Sequence, residues 1–213
     1  MSAELDNLID IVVTGKIKEA KDATQKALDA GHAPIEIVFD SLAAAMEIVG
    51  QKYAAKQYFL PQVLLSANTL YQGLNLVLPM LQAGDGGDKG TVVLGVVEGD
   101  VHDIGKNICK ALLTGTGMKV FDMGKDVPIK DMLQKAKDEN ADIIAESTLM
   151  TPTLDAMKQM EKMLKEEGLK GKMKTMIGGG ATSKDFADQI GADAWTYDAV
   201  ECSKVAQQII AAR

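Results

Sequence analysis

The 213-residue sequence predicts an α/β protein in two parts: an N-terminal bundle of four helices, then a five-stranded parallel sheet with helices on both faces. Three observations carry this prediction. Residues 1–82 repeat their apolar positions only at helical spacing. Residues 83–90, Ala-Gly-Asp-Gly-Gly-Asp-Lys-Gly, hold four glycines and no apolar side chain larger than alanine, which is the composition of a linker. In residues 91–213, short aliphatic runs alternate with amphipathic stretches five times over.

In the first part, Leu5, Leu8, Ile9 and Val12 form one stripe. Ile17, Ala20, Thr24, Ala27 and Leu28 form a second, which Gly31 stops. Pro34 opens a third helix, carried by Ile35, Val38, Phe39, Leu42, Met46, Val49 and Tyr53. The fourth has Pro61 in its first turn and the stripe Leu60, Val63, Leu64, Ala67, Leu70, Tyr71, Leu74, Val77, Leu78 and Leu81. Short connections make these an antiparallel bundle.

In the second part, Val92-Val93-Leu94-Gly95-Val96-Val97 reads as a strand buried on both faces. Further strands are expected at 119–123, 141–147, 174–177 and 193–196. Helices are expected near 104–118, 129–139, 152–167 and 184–190, with a last one running to about 211. Right-handed crossovers between parallel strands give a Rossmann-like, flavodoxin-like arrangement.

Composition excludes several functions. A net charge of −7 and a pI near 4.9 argue against a sequence-independent nucleic-acid binder, which needs a basic face. No apolar run is long enough to span a membrane. The acidic N-terminus has no signal-peptide core, so a cytoplasmic location is expected. Cys109 and Cys202 lie far apart in sequence and read as two reduced thiols. Only two histidines are present, so a multi-histidine metal site is excluded. His32, in Ala-Gly-His-Ala-Pro, falls in a turn between helices and reads as structural.

The strand C-termini of a parallel sheet share one edge, where ligands bind. Strand one leads into Glu98-Gly99-Asp100-Val101-His102-Asp103-Ile104-Gly105, strand three into Ser147-Thr148-Leu149-Met150-Thr151-Pro152-Thr153, and strand four into Gly178-Gly179-Gly180. The glycine spacing after strand one is not that of a dinucleotide fingerprint, and no phosphate-binding Gly-Lys-Ser/Thr is present. A phosphoacceptor receiver would need an acid where Ser147 stands. Asp100, His102 and Asp103 alone are a weak metal-ligand set.

At these residues the chain resembles cobalamin-binding domains that take the cofactor with its lower base displaced. Asp100-Val101-His102-Asp103-Ile104-Gly105 is similar to their DxHxxG motif, Ser147-Thr148-Leu149 to the SxL, and Gly178-Gly179 to the closing GG, in that order. The helical half, with Val49-Gly50 and Phe59-Leu60-Pro61-Gln62, resembles the cap domain of methionine synthase and of methyltransferase corrinoid proteins. The resemblance covers essentially the whole chain. It implies that His102 is the lower axial ligand to cobalt. Asp100 would accept a hydrogen bond from the other ring nitrogen, and Ser147 would extend that relay and contact the displaced nucleotide tail. Gly178 and Gly179 would form a wall without side chains for the tail, and Gly105 would let the first helix begin close to the cofactor. Asp103, Ile104, Leu149, Met150, Thr151 and Gly180 would complete the cobalamin site. Trp195 would pack near the tail, and Phe59 with the 60–81 helix would either cap the methyl face or form bundle core.

The function implied is that of a corrinoid methyl carrier, not an enzyme by itself. It would shuttle a methyl group by way of Co(I) and methyl-Co(III). The donor side would be a substrate-specific methyltransferase acting on a methylated amine or a methoxylated aromatic. The acceptor side would be a second corrinoid-dependent methyltransferase, with a reductive activase as third partner. The 83–90 segment would be the hinge of the cap. The alternatives are a cobalamin-dependent sensor, the cobalamin subunit of an adenosylcobalamin mutase, and a flavodoxin-like binder with no corrinoid.

Overall fold

The computed structural model describes residues 2–81 and 89–212. The chain separates into two compact units between Leu81 and Gln82. The proposed hinge at 83–90 lies, except for Lys89 and Gly90, outside the described residues.

The first unit is helical. It contains α1 (Ala3–Val13), α2 (Ile17–Asp29), α3 (Pro34–Glu36) continuing through a π-helical stretch Ile37–Ala43 into α4 (Ala44–Ala54), and α5 (Leu60–Leu81). The Ser2 hydroxyl caps α1 by accepting from the Leu5 amide. Beyond the end of α2, Gly31 takes the left-handed φ of 92° that terminates many helices. Leu5, Leu8, Val12, Ala27, Leu42, Val49, Leu70, Leu74 and Val77 form the core. A side chain at Gly73 would lie 2.6 Å from Thr24 Oγ1, so α5 passes close to α2 there. His32 is structural: Nε2 lies 2.7 Å from Ser2 Oγ and Nδ1 3.0 Å from Glu36 Oε1.

Two expectations change here. Ile11 and Val13 are buried where the sequence stripe named Ile9, because α1 is covered over a wider arc than one stripe. The start of α5 is not core: Phe59, Leu60 and Leu64 are 62%, 59% and 54% exposed. Helical periodicity shows that such residues share a face. It does not show what covers that face.

The second unit holds strands β1 (Thr91–Val96), β2 (Lys119–Asp122), β3 (Ile143–Ser147), β4 (Lys174–Gly178) and β5 (Ala194–Thr196). All pair in parallel, in the order β2-β1-β3-β4-β5. Helices α6 (Ile104–Gly115), α7 (Ile129–Asp138), α8 (Leu154–Glu166), α9 (Lys184–Ile190) and α10 (Ala199–Ala211) cover the two faces. Val93, Ile144 and Ile177 pack against α7, α8 and α9, and Trp195 packs at the margin of that core. Val92, Leu94, Ile143, Ala145 and Met176 pack toward α6 and α10. The chain leaves β1 toward β2 and leaves β3 toward β4, in opposite directions. A crevice therefore opens above the C-terminal ends of β1 and β3.

Cys109 and Cys202, remote in sequence, are neighbours in space, because α6 and α10 lie on the same face of the sheet. A hydrogen bond with Cys109 and burial push the Cys202 thiol pKa up, as suits a reduced thiol.

One carboxylate sits in the core without compensation. Glu146, on β3, is 2% exposed, and neither of its oxygens has a hydrogen-bond partner among the described residues. Burial, then the nearby Glu161, raises its pKa well above 4.5. Glu161 fares better: Thr175 Oγ1 donates to it, and Lys170 Nζ lies 2.8 Å from its other oxygen. Between pH 4.5 and its raised folded value, Glu146 keeps a proton that the unfolded chain has released. Stability therefore falls as pH rises through that window. Glu146→Leu is expected to stabilise the protein at neutral pH by about 1–3 kcal/mol and to flatten this slope, read by denaturant unfolding across pH.

Candidate cofactor-binding site at the strand ends

The site is built on Asp100, whose side chain is fully buried just past β1. An ionised carboxylate there requires donors for both oxygens. Oδ1 accepts from the His102 amide at 2.9 Å and lies 2.6 Å from His102 Nδ1. Oδ2 accepts from Thr148 Oγ1 at 2.6 Å and from the Leu149 amide at 2.7 Å. Burial pulls the Asp100 pKa upward. The bonds from Thr148, His102 and Leu149 outweigh it and hold the pKa at about 2.

This fixes the tautomer of His102. An ionised carboxylate only accepts, so in the neutral ring the proton sits on Nδ1 and the Nε2 lone pair is left available. The ring is half-exposed at 51%. An oriented neutral imidazole with an accessible Nε2 is a ligand for a borderline transition metal. Among the described residues no group of three or more His, Cys, Asp or Glu could hold a metal ion.

The relay past Asp100 differs from the sequence expectation. Thr148, not Ser147, supplies the hydroxyl. Ser147 is the last β3 residue, in register with Val96 and Gly178. The pleat therefore sends its side chain to the same face as Ile143 and Ala145. Thr148 has left the strand and can turn toward Asp100. Thr148 Oγ1 also lies 2.5 Å from Thr153 Oγ1, which donates to the Met150 carbonyl at 2.8 Å. The sequence segment contained both threonines. Their roles depend on where the pleat stops, which periodicity places only to within a residue or two.

The glycines act differently from one another. At Gly179, with φ 101°, a Cβ would lie 2.1 Å from the Thr148 carbonyl oxygen, so this glycine is required by its own chain's approach. A Cβ at Gly178 would lie 3.3 and 3.4 Å from the Thr196 carbonyl and hydroxyl oxygens. A Cβ at Gly105, in the first turn of α6, would meet nothing within 4 Å, so the space there is open. Asp103 stands at the N-cap of α6, and Ile104 is its first residue. Val101, next to both Asp100 and His102 in the chain, Leu149, whose amide donates to Asp100, and Met150, whose amide donates to Thr148, are 56%, 52% and 36% exposed. Exposed apolar side chains of this kind around an open imidazole fit a large, flat, mostly apolar ligand. Thr151 begins a short 3-10 turn, and Gly180 packs under Leu149. Trp195 is occupied structurally: Nε1 donates to Thr182 Oγ1 at 2.9 Å, and the ring meets Tyr197 edge-on. Phe59 belongs to the other unit, on its exposed apolar face. The residues present thus fit a corrinoid, whose macrocycle would supply nitrogen ligands beyond the one that His102 offers. No described helix is long and apolar enough to cross a membrane.

Comparison with known proteins agrees with this geometry. Two family models, each described as a B12 binding domain, match residues 4–78 and 90–201. A dimethylamine corrinoid protein of Methanosarcina barkeri is 39% identical over 208 residues, 97% of either chain. A trimethylamine corrinoid protein of Methanosarcina mazei is 40% identical over 85% of either chain. The solved structure of the Methanosarcina barkeri monomethylamine corrinoid protein matches with a TM-score of 0.90 at 31% identity, covering 97% of this chain and 98% of that one. The methanol:cobalamin methyltransferase complex MtaBC of the same organism matches at 34% identity, with a TM-score of 0.57 over 99% of this chain and 80% of that one. With B12-binding models over both halves and relatives of this identity along nearly its whole length, the chain belongs to the family of cobalamin-binding methyltransferase corrinoid proteins.

Proposed function

We propose that this corrinoid protein carries methyl groups from a methylated amine, holding cobalamin base-off with His102 as the lower axial ligand. The observation that carries this reading is the His102 imidazole, held through Nδ1 by the ionised Asp100 with Nε2 left open. When bound, cobalamin supplies the cobalt centre that accepts and releases the methyl group. The chain's own residues do the rest. Asp100 orients the imidazole and makes it a stronger donor. Thr148 and the Leu149 amide keep Asp100 ionised and in place. Asp103, Ile104, Gly105, Ser147, Leu149, Met150, Thr151, Gly178, Gly179 and Gly180 border the cofactor and its displaced tail. Phe59, Leu60 and Leu64 are exposed apolar side chains of the helical unit.

The donor class is supported by the relatives named for dimethylamine, trimethylamine and monomethylamine. Working alone, the chain would complete no reaction. Its partners would be a substrate-specific methyltransferase, a second methyltransferase that removes the methyl group, and a reductive activase. A cytoplasmic setting follows from these partners.

Two outcomes test this reading. Reconstituted with cobalamin, the wild-type protein should give a base-off, histidine-bound visible spectrum that His102→Ala lacks. Asp100→Asn should weaken histidine ligation by about 10–100-fold, with Thr148→Val less affected. A spectrum indifferent to His102 would overturn the axial-ligand assignment. Mixed with methyltransferases for mono-, di- and trimethylamine, methanol and a methoxylated aromatic, the loaded protein should be methylated by one of the amine enzymes. Methylation by the methanol or methoxyarene enzyme alone would overturn the donor class.

A further inference from the structure

The segment between β2 and α7 runs beside the His102 loop and is tied to it on both sides. On the strand side, the Val96 amide donates to the Gly124 carbonyl and the Val127 amide to the Val96 carbonyl, each at 3.0 Å. Asp126 sits at the tip with a left-handed φ of 54°, a conformation that Asp, Asn and Gly tolerate best. Its amide donates to the Asp100 carbonyl at 2.9 Å, and its Oδ1 accepts from the Gly99 amide at 2.7 Å. These two bonds run in opposite directions and close over the Gly99–Asp100 peptide. The near end of the segment is fastened to α6. Asp122 Oδ1 accepts from the Gly124 amide at 2.9 Å and from Nζ of Lys106 at 2.6 Å, and the Lys106 side chain is only 2% exposed. The fixture thus grips the chain just before His102, at Gly99 and Asp100, and just after it, at Lys106.

We propose that Asp126 is a positioning residue for His102. It acts through the turn from which Asp100 reaches the imidazole and touches neither the ring nor the ligand. Gly99, at φ 87°, has no side chain to restrict its backbone. Without the Asp126 carboxylate, that turn loses the bond to its amide, and the Asp100 carboxylate loses its fixed bearing on Nδ1. The inference rests on His102 as the axial ligand.

Asp126 is exposed, so substitution leaves the core intact. Asp126→Asn keeps an acceptor and tolerates the left-handed φ. Asp126→Gly keeps the backbone and loses the acceptor. Each is loaded with cobalamin at fixed neutral pH, and the ratio of histidine-bound to histidine-free cofactor is read from the visible spectrum, with His102→Ala as control. Amide hydrogen exchange is measured on the cofactor-free proteins. Asp126→Gly should lower the ratio about three- to tenfold and speed exchange at the Gly99 and His102 amides, while Asp126→Asn stays near wild type. A wild-type ratio in Asp126→Gly overturns the proposal, even if exchange quickens, because the residue then only stiffens the loop. If His102→Ala matches the wild-type spectrum, the axial-ligand reading fails first and the positioning role falls with it.

Discussion

The second unit is organised around one buried negative charge. Asp100 is fully desolvated, and a lone carboxylate in that position would cost several kcal/mol or take up a proton. It remains ionised because its oxygens accept from donors on two neighbouring strand ends. The adjacency of β1 and β3 makes this possible, since it places the loop after Val96 against the loop after Ser147. The sheet order is therefore part of the site. A topology that separated these two strands would leave Asp100 without Thr148 and Leu149, and His102 without a fixed tautomer.

Glu146 shows what happens without that provision. It lies on β3 itself, only two residues before Thr148, and is as buried as Asp100 within a few per cent. Asp100 meets converging amides and a hydroxyl, whereas Glu146 meets the aliphatic face toward α8 and the repulsion of Glu161. One carboxylate stays charged well below the usual range and the other stays neutral well above it. Burial is common to both; Asp100 gains converging donors, whereas Glu146 gains none and faces Glu161.

Much of this was legible in the sequence. The parallel sheet with helices on both faces follows from alternating strands and helices under the right-handed crossover rule. Asp100 and His102 are two residues apart, so their contact is local and survives any error in element boundaries. What the sequence hid depended on distance or on the phase of the pleat. Thr148, not Ser147, reaches Asp100, because one residue decides whether a side chain is still in the strand. Cys109 and Cys202 looked unrelated, although two helices on one face bring them together. Leu60 and Leu64 share a stripe with true core residues, and only packing separates the exposed end of α5 from its buried end.

The motif read as three fragments is physically one chain of contacts. His102 is held by Asp100, Asp100 by Thr148, and Thr148 by the strand end that carries Gly178 and Gly179. The Thr148 amide donates to the Gly178 carbonyl at 3.1 Å, and the Gly179 backbone lies so close that any Cβ would collide with the Thr148 carbonyl. A side chain at 179 would thus act first on its own protein, displacing Thr148 and with it the hydroxyl that stabilises Asp100. The absence of a side chain at Gly179 serves the imidazole as directly as it serves any ligand tail. On the proposed function, this is how a chain with two histidines, one of them structural, would provide a metal ligand. The protein has to fix the bearing of a single ring, and three strand ends contribute to doing so.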